Sequence, residues 1–131
     1  MSQHAIGATL HTGDMGMDDI LRYAREAESL GYEGFWVTEE SGKEAFSTLA
    51  LLANATKRIR LGTGIVNFYS RTPTLLAMGA STIYRLSGGR FELGLGSGGV
   101  GFSLVWMIID PIISAGSTYQ GSGEARSVIH P

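Results

Sequence analysis

Cysteine is absent from the chain of 131 residues. Its absence excludes a disulfide scaffold, a thiolate zinc site, an iron–sulfur cluster and a cysteine nucleophile. A long hydrophobic run is also missing, since the longest, Val100 to Ile109, is about half of the roughly 20 residues that span a membrane. The first residues lack the basic and apolar regions of a signal peptide. We therefore expect a soluble cytoplasmic protein without a membrane partner.

Neither sign of charge is in large excess, because ten basic residues face twelve acidic ones. The chain thus lacks the basic surface that nucleic acids require, and no nucleic-acid partner is expected. Charge is scarce only near the end: residues 91–131 carry four charged side chains, whereas residues 1–90 carry 18. A Gly/Ser-rich stretch lies in the same part. We predict two regions, a globular 1–102 and a divergent tail 103–131.

Strand-like and helix-like segments alternate through the first hundred residues. Hydrophobic and β-branched runs predict four strands: Ala5–Leu10, Gly34–Thr38, Arg58–Val66 and Phe91–Gly96. Apolar spacing predicts three helices between them: Met17–Leu30, Phe46–Ala53 and Pro73–Leu86. This alternation predicts an α/β fold with a parallel sheet and right-handed crossovers. It leaves open an open doubly wound sheet or part of a (β/α)8 barrel.

The segment Gly94–Gly99 fits the G-x-G-x-x-G pattern of dinucleotide-binding folds. In those folds the pattern follows an early strand, and an acidic residue comes about 20 positions later. Here it ends the fourth predicted strand, and the next acid is Asp110. A Rossmann-type domain therefore stays an alternative of lower rank. The glycines still indicate a loop with exposed backbone amides at the carboxyl end of a strand.

Three other features lie where ligands bind in parallel α/β folds, at the carboxyl ends of strands. Gly62-Thr-Gly64 indicates a bulge or a close backbone approach, with a tight exit from the strand as the alternative. Thr38-Glu39-Glu40 follows the second strand and is either a ligand contact or a solvated loop. His11 follows the first strand, but no histidine or carboxylate spacing supports a metal site.

Several segments together resemble one family. They are Leu30–Glu39, Ala45–Ala50, Thr56–Ile65, Tyr69–Pro73 and Leu86–Gly98. In this order and spacing they resemble the bacterial-luciferase-like family of flavin monooxygenases and coenzyme F420-dependent oxidoreductases. The branch most similar is that of methylenetetrahydromethanopterin reductase. The resemblance runs from about Ile6 to Phe102.

The resemblance implies the amino-terminal half of a TIM-type (β/α)8 barrel whose cofactor, coenzyme F420 or FMN, lies at the carboxyl ends of the strands. It also implies a cis peptide bond between Gly64 and Ile65 that backs the cofactor ring. The cofactor-binding residues implied in this sequence are Thr38, Glu39, Glu40, Gly64, Ile65, Gly96, Ser97 and Gly98. The reaction implied is hydride exchange, or oxygen activation with FMN, on a small-molecule substrate.

The chain also departs from the family pattern. Some members carry a proton-transferring carboxylate where this sequence has Gly99, so no catalytic residue is assigned. The family's phosphate-binding elements lie in later βα units, and the resemblance stops near Phe102. We therefore hypothesise a truncated or frameshifted product of doubtful activity that binds cofactor weakly or not at all.

Other readings of the same pattern remain. A genuine short homologue is the alternative to truncation, and a non-catalytic or partner-binding fragment is the alternative function. Because a half barrel leaves its first and last strands without neighbours, a homo-oligomer through these edges is a further expectation.

Overall fold

A computed structural model of the chain describes residues 6–13, 15–39 and 43–98, together with the backbone of 126–127. Strands and helices alternate from the start: β1 (Gly7–Leu10), α1 (Met17–Ser29), β2 (Gly34–Val37), α2 (Ala45–Ala55), β3 (Arg60–Thr63), β4 (Val66–Asn67), α3 (Pro73–Leu86), β5 (Phe91–Glu92), β6 (Gly94–Gly96) and β7 (Arg126–Ser127). The predicted alternation is confirmed. Among the described residues, no helix is both long and apolar enough to cross a membrane.

The sheet is parallel through the βα units. Its order is β1-β2-β3-β5, and every neighbouring pair in it runs parallel. The third and fourth predicted strands are each divided: β3 continues as β4, and β5 continues as β6, which again pair in parallel. Consecutive helices contact one another, α1 with α2 and α2 with α3. All three helices therefore cover the same face of the sheet.

The core lies between the helices and the face of the sheet that they cover, which is its outer face. Alternate strand residues such as Phe35, Val37 and Leu61 are buried there. The helices contribute the buried side chains of Ile20, Ala24, Ala27, Leu49, Leu52, Leu76 and Ile83. Burying apolar area of this kind is the main driving force for folding, at about 25 cal/mol per Å².

Local sequence explains where the helices begin and end. Glu44 caps α2 by accepting hydrogen bonds from the backbone of Phe46 and Ser47, and Thr72 caps α3, which starts at Pro73. Gly31 follows α1 with φ of 83°, a backbone conformation that glycine adopts without a Cβ penalty. These ends agree with the predicted helix limits to within two residues.

The opposite, inner face of the sheet carries the large side chain of Trp36. Trp36 lies across three glycines on adjacent strands, and a Cβ at Gly7, Gly34 or Gly62 would come within 2.3 Å of its indole. The register brings them together, because Gly7 pairs with Gly34 and Trp36 pairs with Gly62. The bare backbone of these glycines is what lets the indole lie flat on the sheet.

The edge of the fourth strand differs from the prediction. A half barrel should leave its last strand unpaired, but β7 pairs with β6 in antiparallel orientation. Within the described residues, β1 pairs on one side only, with β2. In the part of the chain that the structure describes, β1 therefore keeps an open edge, while the edge of β6 is occupied. The rest of the predicted tail lies outside the described residues, so its boundary at 102 stays a prediction.

Two charged side chains join the loops at the amino-terminal end of the sheet. One carboxylate oxygen of Glu28 accepts the backbone N–H groups of Lys57, Arg58 and Ile59 at 2.9, 2.5 and 2.9 Å. The guanidinium of Arg90 donates to the carbonyl oxygens of Ala53, Thr56 and Ile59, closing the end of α2. Burial lowers the pKa of Arg90.

The Glu28 interaction predicts a pH-dependent contribution to stability. Burial alone would raise the pKa of Glu28, but the three backbone hydrogen bonds outweigh it and leave the pKa below 4.5. Glu28→Ala should lower the free energy of unfolding at pH 7 by about 1 to 2 kcal/mol. Because the folded-state pKa is depressed, this difference is complete above pH 4.5 and disappears as the pH falls through the folded-state value.

Urea denaturation of both proteins at pH 7 and at about pH 3 measures the difference. Glu26→Ala, at an exposed position of the same helix, is the matched control and should change stability by less than about 0.5 kcal/mol at either pH. A Glu28→Ala difference that is unchanged at the lower pH would contradict the interpretation.

Candidate functional site

The carboxyl ends of the parallel strands meet at one edge, and the loops that leave them form the candidate site. These loops follow β1 at His11, β2 at Thr38, β4 at Phe68 and β6 at Ser97. In parallel α/β folds this edge is where ligands bind. Four loops of this chain therefore converge on the expected position.

Thr38 joins the first two loops. Its backbone N–H and its hydroxyl both donate to the carbonyl oxygen of Leu10, at 3.2 and 3.3 Å. The hydroxyl of Thr12 in turn donates to the carbonyl oxygen of Thr38 at 3.2 Å. Both threonines are buried. The predicted site residue Thr38 is therefore buried, and it connects the first two loops of the site through these hydrogen bonds.

Glu39 lies in a buried ion pair. Arg71 donates from its two terminal nitrogens to the two carboxylate oxygens, at 2.6 and 2.7 Å. The backbone N–H of Ala45 donates to the same carboxylate at 3.1 Å. The side chains of Glu39 and Arg71 are only 8% and 11% exposed. Its neighbour Glu40, also predicted to be a site residue, lies outside the described residues.

Arg71 also holds a second carboxylate. It donates to Glu44 at 2.5 Å, and its guanidinium carbon lies 5.3 Å from the ring centre of Phe46. The pKa of Arg71 is raised, and the hydrogen bond to Glu39 is the largest cause. Burial would raise the pKa of Glu44, but backbone hydrogen bonds from Ser47 and Phe46, helped by Arg71, lower it. Arg71 and Glu44 are therefore both charged at neutral pH.

The peptide bond between Gly64 and Ile65 is cis, as the resemblance implies. It separates β3 from β4, and the backbone N–H of Gly64 donates to the carbonyl oxygen of Val37 at 2.8 Å. The side chain of Ile65 leans on the fourth strand, where a Cβ at Gly96 would lie 2.9 Å from its Cγ1. Gly64 itself is exposed. The predicted residues Gly64, Ile65 and Gly96 are thus adjacent.

The third and fourth strands are tied by reciprocal hydrogen bonds. The hydroxyl of Thr63 donates to the carbonyl oxygen of Gly94 at 2.8 Å and accepts from its N–H at 2.7 Å. Further along, the side-chain amide of Asn67 donates to the carbonyl oxygen of Ser97 at 2.9 Å. Gly98 follows with φ of 79° and is exposed. The side chain of Asn67 therefore fixes the predicted loop Gly96–Gly98 through this hydrogen bond to Ser97.

Sequence reasoning missed Asn67 and Arg71. Asn67 ends β4 and Arg71 lies in the loop that follows, a stretch for which the sequence predicted only a connection between a strand and a helix. Asn67 is 3% exposed, and its side-chain oxygen accepts the N–H of Tyr69 at 2.7 Å. An asparagine directly after a β-run is a turn signal that was available. No local signal pairs Arg71 with a glutamate 32 residues earlier.

His11 does not contribute to a metal site in the part of the chain that the structure describes. Its side chain is exposed at the end of β1. Nowhere within residues 6–13, 15–39 and 43–98 do three histidine or acidic side chains come together in a way that could hold a metal ion. The edge is therefore a surface of backbone, hydroxyl and amide groups beside one buried ion-pair cluster.

These features define a class of protein: the first four strands, with their crossover helices, of a (β/α)8 barrel whose site lies at the carboxyl edge. The family model for luciferase-like monooxygenases matches residues 1–117. The chain belongs to that family. The Rossmann alternative is wrong, because the glycine motif ends a barrel strand rather than opening a dinucleotide-binding unit.

Three related proteins illustrate the match. The chain is 40% identical over 80 residues to a 5,10-methylenetetrahydromethanopterin reductase of Methanolobus tindarius, covering 60% of this chain and 24% of the reductase. It superposes with a TM-score of 0.69 and 29% identity on the coenzyme F420-dependent tetrahydromethanopterin reductase of Methanopyrus kandleri, covering 80% of this chain and 29% of that one.

The third relative is a type II Baeyer–Villiger monooxygenase from Pseudomonas putida, solved in complex with FMN. Its TM-score is 0.68 at 20% identity, over 78% of this chain and 31% of that chain, and it supports the fold alone. The chain thus spans about a quarter to a third of the length of these relatives.

The contact between the third and fourth strands predicts a severe effect at Gly94. A Cβ there would lie 2.2 Å from the carbonyl oxygen of Thr63, a backbone atom that cannot turn away. Gly94→Ala should therefore lower the free energy of unfolding by about 1 to 3 kcal/mol. Gly64→Ala is the matched control, because its Cβ meets nothing closer than 3.6 Å. Equal stability of the two variants in urea denaturation would contradict this geometry.

Proposed function

We propose that the described edge forms the cofactor-ring end of the active site of an oxidoreductase that uses coenzyme F420 or FMN. The observation that carries the proposal is the packing of Ile65 against Gly96, which joins the two loops that the family resemblance assigns to the ring. Family membership supports the same reading. Because the chain spans only part of its relatives, the activity of the whole protein and a cytoplasmic location belong to the proposal.

The residues present suit a flat ring. Gly64 and Gly98 are exposed glycines on neighbouring loops, so backbone is accessible where a planar group would lie. Ile65 supplies a half-buried apolar side chain between them. A bound flavin or deazaflavin would supply the hydride or oxygen chemistry. The chain's own contribution is to offer an apolar support and backbone hydrogen-bonding groups that orient the ring.

The site described so far lacks two parts of a complete active site. The resemblance places phosphate-binding elements in later βα units, and the position that carries a carboxylate in some members is Gly99 here. We therefore propose a ring-binding surface without an assigned proton donor. This division has a direct consequence: the phosphate of FMN should add little to binding by the 131-residue chain.

Fluorescence titration tests the proposal. Trp36 lies beside Gly64, since a methyl group added at that glycine would be 3.6 Å from the Cβ of Trp36, so a ring bound there should quench the indole emission. Trp106→Phe leaves Trp36 as the sole tryptophan. We expect saturable quenching by FMN, riboflavin and coenzyme F420, with Kd weaker than micromolar but below about 1 mM. Riboflavin should bind about as well as FMN.

A substitution at the ring surface provides the specific test. Gly64→Ala has room for its methyl group and should fold normally, yet the methyl would occupy the surface on which the ring lies. We expect it to weaken riboflavin binding about tenfold, while Glu26→Ala on α1 leaves binding unchanged. The absence of quenching by all three ligands would contradict the proposal. Micromolar binding of FMN without comparable binding of riboflavin would contradict the proposal that this chain binds the ring and not the phosphate.

A further inference from the structure

The resemblance assigns Glu39 to the cofactor ring, yet the carboxylate is already engaged. It receives three hydrogen bonds, two from Arg71 and one from the backbone of Ala45. A carboxylate offers about four acceptor positions, so little capacity remains for a ligand. Its exposed fraction of 8% leaves almost no surface to contact one.

Arg71 connects the second loop of the site to the third. It belongs to the loop between β4 and α3, whereas its partners Glu39 and Glu44 lie after β2 and at the start of α2. A planar guanidinium binds a carboxylate through two parallel hydrogen bonds, a geometry that lysine cannot reproduce. The ring of Phe46 packs beside the same guanidinium. The second and third loops are thereby joined at one point.

From Arg71 the hydrogen bonds continue toward the fourth loop. Arg71 donates to the hydroxyl of Ser70 at 3.0 Å, and that hydroxyl donates to the carbonyl oxygen of Asn67 at 2.8 Å. Asn67 donates to the carbonyl oxygen of Ser97 at 2.9 Å. One continuous series of contacts thus connects the ends of the second, third and fourth strands, the three loops that border the proposed ring.

We propose that Glu39 and Arg71 are positioning residues. Their ion pair fixes the loop Phe68–Thr72 and, through Asn67 at the end of β4, the Gly96–Gly98 loop in the arrangement that receives the ring. The proposal rests on the proposed function for the identity of the ligand, but the coupling itself is a property of the chain without ligand. Glu39 then affects binding only through Arg71. The two side chains should behave as a single unit.

A double-mutant cycle in the full 131-residue chain measures this coupling. The variants are Glu39→Gln, Arg71→Met and both together, and the readout is hydrogen exchange at the amides of Phe68 and Tyr69, which bond to Gly96 and Asn67. We expect either single variant to reduce protection about tenfold and the double variant to reduce it no further. Arg71→Lys keeps the charge without the paired hydrogen bonds and should restore only part of the protection.

Two controls separate positioning from general destabilisation. If the pair only positions the loops, amides of α1 such as that of Ala24 keep their protection in every variant. General destabilisation of the fold would instead lower protection everywhere. Arg22→Met breaks an exposed ion pair with Asp19 on α1 and should leave the Phe68 and Tyr69 amides unchanged. Additive effects of the two substitutions, or losses that are equal in α1 and in the loop, would overturn the proposal.

Riboflavin titration of the same variants distinguishes this proposal from the proposed function. If the pair positions the loops, Glu39→Gln and Arg71→Met each weaken binding, and the double variant weakens it no more than Arg71→Met alone. If Glu39 contacts the ring directly, Glu39→Gln weakens binding while Arg71→Met does not, and positioning is wrong although the ring site stands. Absence of riboflavin binding in every protein would refute the proposed function, whereas the exchange cycle would still decide the coupling.

Discussion

The parallel pairing of the strands is the constraint on which the rest of the structure depends. Parallel neighbours require a crossover between them. Right-handed crossovers place successive helices on one face when each strand is added on the same side of the last, as in the order β1-β2-β3-β5. All three helices of this chain cover the outer face, where Phe35, Val37 and Leu61 are buried. The same pairing brings every strand's carboxyl end to one edge. The candidate site thus arises from topology before any particular side chain contributes to it.

On the inner face, the parallel register determines where glycine is needed. Three glycines on β1, β2 and β3 make room for the indole of Trp36 to lie flat on this side of the sheet. Side chains from different strands fill the interior of (β/α)8 barrels in layers. The aligned part of this chain covers only 24% to 31% of the length of its relatives.

Much of the fold could be predicted from the sequence because it depends on local signals. The apolar stripe of α1, Gly31 after it and Pro73 at the start of α3 each report backbone requirements that neighbouring residues determine. The third strand divides at Gly64 and Ile65, beside the bulge predicted at Gly62–Gly64. The division of the fourth strand was not predicted, because β-propensity continues across Leu93. Pairing of β7 with β6 depends on a contact between distant segments, which no local pattern contains.

The site was predicted less completely, for the same physical reason. The resemblance located Gly64, Ile65 and Gly96, and the structure brings these three together. It assigned Glu39 to the ring, whereas the structure places its carboxylate against Arg71. The ion pair forms only when the loops after β2 and β4 meet. Asn67 likewise gains its role from the carbonyl group of Ser97, 30 residues away.

The proposed function requires that the carboxyl edge of these strands receives the ring of a flavin or deazaflavin. The most direct measurement is a map of backbone amide chemical shifts of the ¹⁵N-labelled chain during addition of riboflavin. The largest changes should fall on Gly64, Ile65 and the Gly96–Gly98 loop, with α1 unaffected. Changes centred on the groove beside β1 and α1, at Tyr23, Leu30 and Tyr32, would contradict it.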